Sequence, residues 1–397
     1  MNQLADRLSR ISEPQTIKMS KLGRELKAQG IDVIDLSIGE PDFDTPAYIR
    51  EAAKKAIDDG YTHYTPVAGY LDVRQAVVHK LKRDNGLTYT PEQIVVSTGA
   101  KQCLANVVLS VVNPGDEVII PTPYWVSYSE QVILAEGTVV FIPGTLENNY
   151  KITPEQLEAA ITPKTKLFMF SSPCNPSGAV YSKEELAGLA EVFARHPQVY
   201  IISDEIYEYI NYEGKHESIA QFGDLINRTI VINGLSKGFA MTGWRLGYLA
   251  APLHIAKACD NIQSQFTSAT CSITQRAAIT ALTGDLTTVD EMVAEFAKRR
   301  EFVFNALSAI PGLKVNKPEG AFYMLPDVSA YFNKSYEDTH IKNADDLSMF
   351  LLNKAHVSVV TGSAFEQHEC IRLSYANSMK NLENGIERIK TWLAKLK

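Results

Sequence analysis

The feature that most restricts this chain is a series of short Val/Ile-rich segments set apart by longer stretches of helical periodicity. QIVVST (93–98), EVIIP (117–121), VVFIP (139–143), KLFMFSS (166–172), VYIISDE (199–205) and TIVING (229–234) lack polar alternation. Each predicts a strand buried on both faces, as in a mainly parallel sheet covered by helices. Residues 100–112, 124–136, 154–162 and 182–195 carry the intervening helical periodicity, punctuated by Gly and Pro. The repeated strand–helix order predicts an α/β domain.

After residue 290 the texture changes. VDEMVAEFAKRREFVFNALSAI predicts a long amphipathic helix, followed by a strand in GAFYMLPDV (320–328) and a helix over 344–355. VSVVTG (357–362) and CIRLSYA (370–376) predict two more strands before a closing helix. The expectation is a large domain over 49–290 and a smaller α+β domain over 291–397, with 1–48 packing against the latter; 397 residues suit two domains.

Charge narrows the partners. The 46 acidic and 39 basic residues give a net charge of -7, which disfavours nucleic acid or an anionic membrane as main partner. The first residues lack the apolar core of a secretory signal, and no run approaches the ~20 apolar residues of a membrane span. Five scattered cysteines without a CxxC pair predict free thiols in a reducing cytoplasm, with neither a disulfide framework nor a metal site.

Ligands of open α/β sheets bind at the carboxyl ends of the strands. Four predicted strand ends carry reactive side chains: Ser97-Thr98-Gly99-Ala100-Lys101, Ser172-Pro173-Cys174-Asn175-Pro176, Ser203-Asp204-Glu205-Ile206-Tyr207 and Gly234-Leu235-Ser236-Lys237. Singly, each has an ordinary reading. A strand-end Asp caps helices, a Lys is a surface residue, and Arg245 between Gly243 and Gly247 suits a structural ion pair. STGAK can cap a phosphate with backbone N–H groups at a helix start, although it is not a GxxxxGK[ST] loop. Jointly they suit a cofactor with an aldehyde, a pyridine nitrogen, a phenolate and a phosphate. Such a group needs a lysine of depressed pKa, an acid, hydrogen-bond donors and an anion cradle.

SKGFAMTGWRLGYLAAP (236–252) resembles the SKxxxxxGxRxGY signature of class I/II aminotransferases, which are fold-type I pyridoxal-phosphate enzymes. GEPDFDTP (39–46), YTPVAGYLDVRQA (64–76), STGAKQ (97–102), PYWVSY (123–128), SSPCNPSGAVY (171–181), SDEIYE (203–208) and IRLSYA (371–376) follow the family's order across nearly the whole chain. Among subgroups, the chain is most similar to bacterial Ib aspartate aminotransferases.

The resemblance implies an α/β fold-type I transferase with a large and a small domain. It implies that Lys237 is the Schiff-base lysine and the base of the proton shift. Asp204 would pair with the pyridine nitrogen, Asn175 and Tyr207 would contact the ring hydroxyl, and Trp125 would stack on the ring. Gly99, Ala100, Ser236 and Arg245 would hold the phosphate, with Tyr64 reaching the phosphate of the other subunit in a homodimer. Arg372 would grip the substrate α-carboxylate, helped by the Gly39 backbone, with Trp125 and Asn175 beside it. Lys101, next to the phosphate turn, would also face a distal carboxylate and favour aspartate with 2-oxoglutarate, by a ping-pong mechanism. Cys174 and Ser177 depart from the commoner Asn and Thr, and Phe266 replaces a usual Ser. Aromatic or prephenate specificity, and a C–S β-lyase of the same fold, are the alternatives.

Overall fold

A computed structural model describes residues 4–12 and 15–397. Its central sheet contains β1 (Ile94–Ser97), β2 (Glu117–Thr122), β3 (Thr138–Pro143), β4 (Thr165–Ser171), β5 (Tyr200–Asp204), β6 (Thr229–Gly234) and β7 (Gly247–Ala250) in the order β1-β7-β6-β5-β4-β2-β3. Two-sided burial explains the unbroken apolar runs of five strands, but β3 lies at the sheet edge and, against expectation, leaves Thr138, Phe141 and Pro143 exposed with only Ile142 buried. Ile120, Leu167, Met169, Ile202, Ile230, Ile232 and Leu249 join the core on one face. Their neighbours Ile119, Phe168 and Ile201, and likewise Val231 and Tyr248, enter cores on the other face. Successive strand residues point to opposite faces, so both faces are apolar only if helices cover both.

Helices Ala100–Val111, Ser127–Leu134, Pro154–Ala160 and Lys183–Arg195 make the crossovers. Reciprocal capping fixes the starts of the last two: Thr153 with Gln156, and Ser182 with Glu185. β7 was not expected from its sequence. It runs antiparallel to both β1 and β6, while the other neighbouring pairs are parallel. Residues 235–246 join β6 to β7 with turns and one short 3-10 segment, too little for the helical crossover that a parallel pairing requires.

Beyond the sheet, helices Thr287–Ser308 and Met379–Leu393 contribute to an apolar core with Phe322, Leu347, Ile371 and Leu373. Ile34 and Leu36 enter this core, and Ile34–Asp35 pairs in parallel with Val357–Ser358. A three-stranded sheet places Ile371–Ser374 between Val360–Thr361 and Tyr323–Met324. The expected strand over 320–328 is therefore reduced to two residues. Ala321 has a φ of 56°, incompatible with extension, and Pro326 has no N–H for a ladder. The helix expected over 344–355 is α-helical through Phe350 and closes on a π-turn over Leu351–Ala355. Helix α1 (Gln15–Ala28) packs Met19, Leu22 and Leu26 against Val33 and Leu352.

Candidate active site

A cavity of about 490 Å³ opens where the carboxyl ends of the parallel strands meet residues 37–40 and the three-stranded sheet. Ala100, Lys101, Trp125, Asn175, Asp204, Tyr207, Ser236, Lys237, Arg245, Arg372 and Gly39 line it. The structure thus gathers all but two of the sequence-derived candidates in one place. Gly99 stands immediately behind Ala100 as the N-cap of helix Ala100–Val111, with φ 87°. Tyr64 lies elsewhere, fully exposed among Thr62, His63 and Cys271. Phe266 is also exposed and does not line the cavity.

Lys237 follows the end of β6, and its Nζ donates to the Gly39 carbonyl at 2.5 Å. Burial lowers its pKa to about 8; Glu40 opposes the shift, while Arg372 and Arg245 add to it. Asp204 ends β5 and is buried, its Oδ2 accepting from the Tyr128 hydroxyl at 2.7 Å. Burial raises its pKa to about 6, although Tyr128 and the Ile206 N–H stabilise the carboxylate.

Arg372 is buried in the middle of the three-stranded sheet. Its Nη1 donates to Asn175 Oδ1 at 2.9 Å and its Nη2 to the Ser37 carbonyl at 2.6 Å, while Nε has no acceptor among the described residues. The guanidinium lies 4.5 Å from the Tyr323 ring centroid. Asn175 therefore orients Arg372, and the Tyr207 hydroxyl bonds to that of Tyr323 at 2.7 Å.

The phosphate-type cradle is built by close backbone approach. A Cβ on Gly99 would meet Arg245 Nη2 at 2.5 Å, so only glycine leaves that guanidinium its place. Arg245 itself adopts φ 55° and donates Nη1 to the Thr242 carbonyl at 2.8 Å. Lys101 Nζ lies 4.7 Å from the Trp125 ring centroid, and burial, then the Arg245 charge, lowers its pKa.

Tyr128, Tyr323, Glu40, Thr242 and Arg24 also line the cavity without having been singled out in the sequence. Tyr128 sits inside PYWVSY and was legible as part of that motif; Tyr323 was legible only as a strand residue. Beside the cavity floor lies a second polar group. Glu205, Glu208 and His216 bring ligand-type atoms within 4.8 Å of one another. The fully buried Lys80 already forms an ion pair with Glu208, and Asn85 bonds to both. An ammonium thus meets the charge that a metal ion would otherwise supply.

The model of the family "Aminotransferase class I and II" matches residues 31–389. The chain is 46% identical over 401 residues to the bifunctional aspartate aminotransferase and glutamate/aspartate-prephenate aminotransferase of Petunia hybrida, covering 99% of this chain and 83% of that protein. It is 46% identical over 396 residues to the aspartate/prephenate aminotransferase of Cereibacter sphaeroides, covering 99% of each. The crystal structure of an aspartate aminotransferase from Rhizobium meliloti superposes with a TM-score of 0.97 at 43% identity, covering 100% of both chains. A cavity that sets a lysine beside a buried acid and two arginines, in a chain with such full-length relatives, has one family context: the chain belongs to the class I and II aminotransferases.

Proposed function

We propose that this chain is a pyridoxal-phosphate-dependent aspartate aminotransferase that converts aspartate and 2-oxoglutarate to oxaloacetate and glutamate as a cytoplasmic homodimer. The observation that carries the reading is one cavity holding Lys237 with a pKa near 8, the buried Asp204 and the buried Arg372. The residues fit the cofactor. Asp204 is a buried carboxylate with neutral donors from Tyr128 and Ile206, which suits a protonated ring nitrogen. The missing Cβ of Gly99 and the Arg245 guanidinium beside it suit a phosphate at a helix start. Ser236 and the backbone of Ala100 complete that cradle, Trp125 offers a ring face, and Tyr207 an adjacent hydroxyl.

When bound, the cofactor supplies an electron sink for charge that develops at the substrate's α-carbon. The protein supplies the rest. Arg372 receives the α-carboxylate in a bidentate grip, pre-oriented by Asn175 and Ser37. Lys237 Nζ, neutral in an appreciable fraction at physiological pH, would accept a proton from that carbon and deliver one to the cofactor's former aldehyde carbon, on the other side of the amine nitrogen. Lys101 faces a second carboxylate. Tyr64, exposed on its own chain and remote from the cavity, suits a role in the partner's site. In this reading 49–290 form a larger unit, while 291–397 form a smaller one that residues 1–48 rejoin. The shared apolar core of Ile34, Leu36 and the C-terminal helices supports that division.

Mixing the purified protein in turn with aspartate, glutamate, tyrosine, alanine and prephenate's amination product, and following the cofactor spectrum, tests the proposal. Fastest conversion with aspartate is expected. A faster response to the last compound would favour prephenate, which the petunia and Cereibacter relatives carry in their names. Repeated turnover of a cysteine S-conjugate without any oxo-acid acceptor would instead favour the β-lyase.

A further inference from the structure

We infer that Arg24 is a specificity-determining residue: with Lys101 it receives the second carboxylate of dicarboxylic amino acids and oxo acids. The inference rests on the proposed aspartate aminotransferase reading and adds a residue to it. In a chain of net charge -7, the cavity reverses the balance. Among the described residues, Arg24, Lys101, Lys237, Arg245 and Arg372 line it against only Glu40 and Asp204. Lys237, Arg245 and Arg372 have their work in the proposed reaction, which leaves two cations for one remaining anionic group.

Among the described residues, neither of the two is neutralised. Lys101 rests on the Trp125 face, and no carboxylate contributes to its electrostatic surroundings. Among the described residues Arg24 has no side-chain hydrogen bond, ion pair or ring contact. Its position is nevertheless fixed by packing. Met19, Leu22 and Leu26 hold α1 to Val33 and Leu352, and Gly23 brings the helix close to Ser358. Ser20 and Arg24, one turn apart, are thereby set on the cavity side. An exposed guanidinium on a packed helix loses little further backbone freedom on meeting a ligand carboxylate, and its forked donors match that group.

The test compares holoenzyme of the wild type with R24Q, R24K and R24E, using aspartate and alanine as donors. An exposed pair of this kind has an effect of about five-fold in R24Q on the ratio of kcat/KM for aspartate to that for alanine. The change is expected in KM, shrinking as salt is added. R24K should retain most of the ratio, and R24E should lower it further. Calorimetric binding of succinate should weaken by the same factor relative to propionate. Equal losses with aspartate and alanine, or an unchanged ratio in R24Q and R24E, would overturn the inference while leaving the aminotransferase reading intact. A wild type without preference for aspartate over alanine would instead overturn the aspartate reading, and this inference with it.

Discussion

The depressed pKa of Lys237 can be measured directly in cofactor-free protein. Burial and the charges of Arg372 and Arg245 bring it to about 8, despite the opposing Glu40. An ordinary lysine titrates near 10.4, so at pH 7.5 about a quarter of Lys237 is neutral against about 0.1% of a surface lysine, a ratio on the order of 200-fold. The group is a cation below its pKa and a nucleophile above it, so labelling should rise through pH 8. Competitive acetylation across pH 6–11, with peptides resolved by mass spectrometry, reads the inflection for Lys237 and for the exposed Lys257 in the same digest. The inflection carries the test, because intrinsic nucleophilicity falls as basicity falls. Arg372→Gln removes a cation that lowers the value, so its inflection should move upward. An inflection for Lys237 at or above pH 10 would refute the argument that burial and neighbouring charge activate this amine.

Asp204→Asn should separate stability from activity. Burial raises the folded pKa from 3.8 to about 6, so the folded state loses stability as pH rises through that window. At pH 8 the cofactor-free variant should therefore be more stable than wild type by up to about 3 kcal/mol in urea melts, while losing about 100-fold or more in kcat. Gly99→Ala forces φ 87° on a Cβ that collides with Arg245, so a loss of about 1–2 kcal/mol is expected, with weaker cofactor retention on dialysis. Lys80→Met strands the buried Glu208 and should lower stability by about 3–5 kcal/mol, read from the urea midpoint. Adding Glu208→Gln should restore part of that loss, and no recovery in the double variant would count against the ion pair as the cause.

Five of the six long strands were legible because burial on both faces leaves no polar positions to confuse the pattern, whereas β3, at the sheet edge, is apolar without being doubly buried. Their carboxyl ends were legible as a site for the same reason, since reactive side chains there interrupt otherwise apolar text. The remaining contacts have no local signature. Tyr128 meets Asp204 across 76 positions of sequence, Tyr207 meets Tyr323 across 116, and Arg372 meets Asn175 across 197. Besides the ring oxygen that the motif readings give Asn175 and Tyr207 to hold, Asn175 orients Arg372 and Tyr207 bonds to Tyr323. Arg24 reads in sequence as one more charge on a solvated helix face, and only tertiary packing turns it toward the cavity.

The reversed direction of β7 decides which changes of length the chain can survive. A parallel successor to β6 would have sent the polypeptide to the far end of the sheet and back, putting Lys237 and Arg245 on separate loops. Because β7 starts at the end where its neighbours finish, Ser236, Lys237 and Arg245 share one excursion between Gly234 and Gly247, whose backbones nearly touch. The spacing of lysine and arginine is thus set by a single pinned loop, like the jaws of a clip sharing one spring. An insertion between them would pull both from register together, whereas one of equal length in the exposed segment 213–215 would leave the clip closed.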